Sequence, residues 1–142
     1  MTLLAQKVQQ SGIAPNVIIG PAMGGVILAY EMARQLCCQA MYTEKDGDAM
    51  ALKRGFTLTA ADRVLVVEDA VSTGGSVSKA LAAIRKTAAQ LVGVALLFDR
   101  TMGQITFDDL PVISLLQLDI PSWDAADCPL CRSGMPLIAP KA

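Results

Sequence analysis

Short apolar runs alternate with helical periodicities along this chain. Residues 2–11 place Leu3, Leu4 and Val8 on one side of a short amphipathic helix that Gly12 ends, and Pro15 opens the next segment. Residues 17–19 predict a first strand, GPAMGG a loop, and residues 26–36 a helix carried by Ile27, Tyr30, Glu31 and Arg34. Residues 40–43 predict a second strand. Residues 44–59 are charged, glycine-containing and weakly periodic, which predicts a long mobile loop or a ribbon. Residues 63–67 then predict a strand, of which residues 64–67 are a continuous apolar run of the kind covered on both faces in a parallel sheet, and residues 77–88 a helix. Residues 91–98 predict another central strand and residues 112–116 a further one, while the Pro, Asp and Cys content from Pro121 onward predicts an irregular C-terminal tail. The alternation predicts an α/β fold: a doubly wound parallel sheet with right-handed crossovers.

At 142 residues the chain is expected to form a single domain, residues 1–142, around one core. A hydrophobic fraction of 53% against 18% charged residues is rich for this length, so part of the apolar surface is expected to meet a partner. A formal charge of −1 and only 4% aromatic residues argue against a nucleic-acid face. Any anion site must therefore be local. The N-terminal MTLLAQKVQQSG lacks the marks of a secretory signal, and residues 17–30 are interrupted by Gly20, Pro21, Gly24 and Gly25. The expectation is a cytoplasmic protein without a membrane span.

The absence of histidine removes the commonest general base and most zinc sites. Cys37, Cys38, Cys128 and Cys131 read as free structural thiols in a reducing compartment. A zinc site built from both pairs is disfavoured, because adjacent Cys37 and Cys38 have the wrong spacing for a knuckle.

The densest chemistry lies in VLVVEDAVSTGGS, residues 64–76. Glu68 and Asp69 are expected where a buried strand ends, the place where open α/β sheets collect ligands. Ser72, Thr73, Gly74, Gly75 and Ser76 then offer backbone N–H groups with little side-chain obstruction just before a helix, an arrangement that suits a phosphate. Carboxylates accept hydrogen bonds from vicinal hydroxyls while such a turn donates to phosphate, so a sugar phosphate can be held by both together. Neither the GxxxxGK[ST] of a P-loop nor a GxGxxG follows any strand.

This segment resembles the phosphoribosyl pyrophosphate (PRPP) signature of the type I phosphoribosyltransferases. The resemblance implies that Glu68 and Asp69 hold the ribose hydroxyls and that Ala70, Val71, Ser72, Thr73, Gly74, Gly75 and Ser76 hold the 5′-phosphate. VIIGPAMGGVILAYEMA resembles the pyrophosphate-loop unit, here Pro21, Ala22, Met23, Gly24 and Gly25. LLFDR and CPLCRSGMPL narrow the similarity to the orotate phosphoribosyltransferases. By position, Ser72 and Arg100 correspond to orotate-binding residues. A guanidinium suits a planar carboxylate, through two parallel hydrogen bonds. For Arg100 the alternative is an ion pair with Asp99 or Asp119, and for Gly24 and Gly25 a plain turn.

EKDGDAMALKRGF, residues 44–56, resembles the flexible catalytic loop but departs from its Arg-Lys-Glu-x-Lys-x-His-Gly pattern. Lys45 is the nearest match to a loop lysine, and Lys53 and Arg54 are further candidates for neutralising pyrophosphate. With Asp69 they complete the candidate catalytic set; surface charge is the plain alternative for the three cations. The resemblance further implies a homodimer with this loop shared across the interface, and Mg2+ carried by PRPP with no metal held directly by the protein. The implied reaction transfers phosphoribose from PRPP to orotate, giving orotidine 5′-phosphate and pyrophosphate in pyrimidine biosynthesis. Relatives carry several dozen residues before the equivalent of Thr2, forming a hood over the base, so a shortened chain is expected. Two other readings stay open: a non-catalytic PRPP- or nucleotide-binding homologue or fragment, and a phosphoribosyltransferase for another base.

Overall fold

The computed structural model describes residues 1–124 and 126–136. In chain order it contains α1 (Thr2–Gln10), β1 (Val17–Pro21), α2 (Gly24–Leu36), β2 (Gln39–Asp46), β3 (Ala49–Leu52), β4 (Arg63–Val71), α3 (Gly75–Ile84), β5 (Gln90–Asp99), β6 (Val112–Gln117) and the short α4 (Pro129–Arg132). The six strands form one sheet in the order β3-β2-β1-β4-β5-β6. All neighbours run parallel except β2 and β3, which pair antiparallel with Thr43 opposite Leu52 and Asp46 opposite Ala49. The parallel sheet expected from the sequence therefore carries an antiparallel edge: residues 44–52 belong to a ribbon, and residues 53–59 form a turn and irregular backbone. Met50, buried in this edge, packs it onto the body of the molecule.

Strand alternation divides the core into two layers. Val17, Ile19, Val64, Val66, Val94 and Leu96 point to the face covered by Val77, Leu81 and Ile84 of α3. Ile18, Leu65, Val67 and Ala95 point to the face covered by Leu4 and Val8 of α1 and Ala29 and Met32 of α2. Because both faces are covered, the central strands read as unbroken apolar runs.

Several boundaries differ from the sequence expectation. β4 continues through Glu68, Asp69 and Ala70 to Val71, because Glu68 pairs with Leu96, Ala70 with Phe98 and Val71 with Asp99 of β5. Polar residues there read as a strand end, but a paired neighbour keeps them extended. α2 begins at Gly24 rather than residue 26, and α3 spans Gly75–Ile84 rather than residues 77–88. Of the expected irregular tail, residue 125 and residues 137–142 lie outside the described residues, including the last residue of CPLCRSGMPL.

Candidate active site

The strand order reverses beside β1: β2 lies on one side of it and β4, the next parallel strand, on the other. The carboxyl ends of β1 and β4 therefore flank the crevice where such sheets bind ligands. Each end leads directly into a helix. Both helix starts lack a side-chain cap, with Met23 and Gly74 in the N-cap positions, and neither has an acidic residue in its first turn. Their first N–H groups are left for an external acceptor, at the positive ends of two helices.

Glycine makes this crowding possible at two places. A Cβ on Gly20 would lie 2.0 Å from the Gly25 carbonyl oxygen, and one on Gly25 would lie 2.8 Å from Gly20 Cα and 2.9 Å from the Val67 oxygen. The start of α2 thus rests against β1 and β4 with no room for a side chain. Gly74 adopts φ +75°, and a Cβ there would meet the Phe107 ring at 2.9 Å. The Ala22–Met23 peptide is cis, and Ala22 N–H donates to the Thr43 carbonyl at 2.8 Å, tying this loop to the hairpin strand β2.

A cleft of about 430 Å³ opens over the β4–α3 junction, within the size range of small-molecule sites. It is lined by Glu68 and by Ala70, Val71, Ser72, Thr73, Gly74, Gly75, Ser76 and Val77. Lys45, Gly47 and Asp48 of the hairpin enter it from the other side, as does Lys79 of α3. Glu68 is only 6% exposed, and burial pushes its carboxyl up to about 7, while the Asp69 N–H donated to it at 3.2 Å pulls the other way. Strand alternation sends Asp69 to the opposite face. It is exposed, accepts from Ala70 N at 2.6 Å, and stands so close to Gly24 that a Cβ there would lie 2.7 Å from its Oδ2. The acidic pair is therefore divided, Glu68 toward the cleft and Asp69 toward the start of α2.

The three hairpin cations have different surroundings. Lys45 faces the cleft. Lys53 pairs with Asp46 at 3.2 Å and donates to the Lys45 carbonyl at 2.9 Å, while Arg54 forms two 3.0 Å hydrogen bonds to Glu44. Neither of the latter lines the cleft. Lys79 was missed in the sequence, where a lysine five residues into a helix gives no sign of leaning back over its own N-terminus. Arg100 follows β5, and its N–H donates to the Val71 carbonyl at 2.9 Å, so it sits beside the start of the loop that carries Ser72. Its guanidinium binds Ser122 rather than Asp99 or Asp119. Asp99 is occupied: burial raises its carboxyl, but hydrogen bonds from Thr101 Oγ1 and N at 2.6 and 2.7 Å and from Gly103 N at 2.8 Å outweigh that and hold it below the usual range.

Cys37, Cys38, Cys128 and Cys131 are all free thiols. Among the described residues no three His, Cys, Asp or Glu side chains cluster as metal donors. No helix among them is long and apolar enough to cross a membrane.

The sequence matches the phosphoribosyl transferase domain family over residues 1–126. It is 43% identical over 137 residues to the orotate phosphoribosyltransferase of Caldanaerobacter subterraneus subsp. tengcongensis, covering 96% of this chain and 70% of that protein. In fold it is similar to the crystal structure of adenine phosphoribosyltransferase from Thermoanaerobacter pseudethanolicus, with a TM-score of 0.70, 18% identity, and 82% of this chain and 77% of that one covered. It is also similar to orotate phosphoribosyltransferase from Aeropyrum pernix, with a TM-score of 0.65, 23% identity, and 82% and 68% covered. The cleft at the β4–α3 junction thus lies on the fold that these enzymes share, and the chain belongs to the type I phosphoribosyltransferase family, among the orotate phosphoribosyltransferases.

Proposed function

We propose that this chain transfers phosphoribose from PRPP to orotate, releasing pyrophosphate and forming orotidine 5′-phosphate for pyrimidine synthesis. The observation that carries the reading is the uncapped start of α3, placed directly after Glu68 and Asp69 in one strand-end crevice. The N–H groups of residues 72–76 donate to the 5′-phosphate, and Glu68 and Asp69 engage the ribose hydroxyls. Asp69, beside Gly24, stands between this grip and the start of α2, where pyrophosphate is held by the N–H groups of Met23, Gly24 and Gly25 behind Pro21 and Ala22. Ser72 and Arg100 are neighbours through the Arg100 N–H to Val71 hydrogen bond and form the orotate side.

As the anomeric C–O bond breaks, positive charge grows on the ribose and negative charge on the pyrophosphate, so the barrier is lowered chiefly by placed charges. Lys45 is the hairpin cation that meets the leaving group; Lys53 and Arg54 hold the hairpin's shape through Asp46 and Glu44. Mg2+ would arrive with PRPP and would supply charge neutralisation to the pyrophosphate. The exposed side chains of Leu3 on α1, Met23 at the cap of α2, and Ile27 and Tyr30 on α2 support a homodimer. The test follows orotate absorbance with Mg2+–PRPP and the purified chain, with adenine in parallel. Orotate-dependent turnover is expected; PRPP binding without turnover would favour a non-catalytic binding protein, and turnover of adenine alone would overturn orotate as the acceptor.

A further inference from the structure

Arg100 is held in an unusual way for a residue that reads a carboxylate. Its Nη2 donates to Ser122 Oγ at 3.2 Å and reaches the Ile120 carbonyl at 3.5 Å, both in the segment after β6. Its Nε is buried and has no hydrogen-bond partner among the described residues. Asp99 does not compensate it, because both its oxygens are taken by Thr101 and Gly103. Among the described residues, the groups that hydrogen-bond the guanidinium are a hydroxyl and a carbonyl, which satisfy part of one nitrogen without neutralising the charge. A carboxylate in the same place would take two N–H groups and compete with an anionic ligand. The buried Nε–H is closed off from a ligand, so what the guanidinium offers an anion is its uncompensated charge.

We propose that Ser122 is a positioning residue for the acceptor base: it steadies the Arg100 guanidinium through Nη2 and, being neutral, leaves its positive charge uncompensated for the carboxylate of orotate. The proposal rests on the reading of orotate as acceptor. The test is steady-state kinetics of the wild-type chain and of Ser122→Ala, Ser122→Thr and Ser122→Asp. Ser122 is exposed, so the variants are expected to fold, and an unchanged KM for PRPP checks that they have. Loss of the hydroxyl in Ser122→Ala is expected to raise KM for orotate about five- to tenfold, with kcat and KM for PRPP within about twofold of wild type. Ser122→Thr keeps the hydroxyl and is expected to stay near wild type, whereas Ser122→Asp supplies the competing carboxylate and is expected to exceed the alanine variant. A wild-type chain that turns over orotate while Ser122→Ala leaves its KM unchanged, or raises both KM values equally, overturns the role of Ser122 alone. A wild-type chain that binds PRPP but neither binds nor turns over orotate overturns both readings.

Discussion

Glu68 and Lys79 show how much of the site depends on surroundings that residue type alone does not reveal. Glu68 reads as one of two equivalent acids, but burial raises its carboxyl to about 7, whereas Asp69, one residue on, is exposed. A folded-state value above that of the unfolded chain means that the protonated group favours folding. That contribution is present below the ordinary carboxyl value of 4.5 and is lost as the pH rises through about 7. The ligand-free protein is therefore expected to melt at a lower temperature at pH 8 than at pH 5, and Glu68→Gln to flatten that difference. An undiminished slope in the variant would assign it to another group. Lys79 is exposed and lines the cleft without any ion pair among the described residues, so its removal touches ligand more than fold. Lys79→Ala is expected to raise KM for PRPP about tenfold and leave thermal stability unchanged, as a charge-assisted contact to phosphate would. No change in that KM would make Lys79 a bystander.

Among the elements, the sharpest constraint is the contact of α2 with β1. Gly25→Ala places a methyl group against Gly20 Cα, Pro21 Cδ and the Val67 oxygen, all under 3.0 Å and mostly backbone, so nothing flexible can yield. A loss of about 2 kcal/mol or more is expected in denaturant unfolding, within the range of overpacked cores. The central strands and α1 to α3 were legible in the sequence because both sheet faces are buried, giving solid apolar runs between helical patterns. The antiparallel β3 was legible only as one of two alternatives, a ribbon or a loop. Its AMAL is short, and only pairing with β2 and burial of Met50 make it a strand. The same hairpin register decides which cation meets the cleft: it sends Lys45 inward and leaves Lys53 and Arg54 on Asp46 and Glu44, a distinction three neighbouring positive charges do not carry in the sequence. The end of β4 reads too early in the sequence because acidic residues resemble a strand end, whereas pairing with β5 keeps them extended.

For the whole molecule, the reversal of strand order beside β1 brings two uncapped helix starts to one crevice, with Asp69 between them. Sites of this kind depend on topology, and the sequence signalled it through glycine-rich turns after two apolar strands. The exposed stripe of α2 belongs to the same scale: with the proposed homodimer, the wild-type chain is expected to sediment as a dimer and Ile27→Glu as a monomer, and a wild-type monomer or an unaltered variant would contradict an interface there. The central claim is that the β4–α3 junction grips PRPP through Asp69 and the helix start. Calorimetric titration of Mg2+–PRPP into the wild-type chain and into Asp69→Asn tests it most directly. Saturable binding that weakens about tenfold or more in the variant is the expected result, the size of a lost charge-assisted hydrogen bond. Equal affinity in the two proteins, or no binding to the wild-type chain, would contradict it.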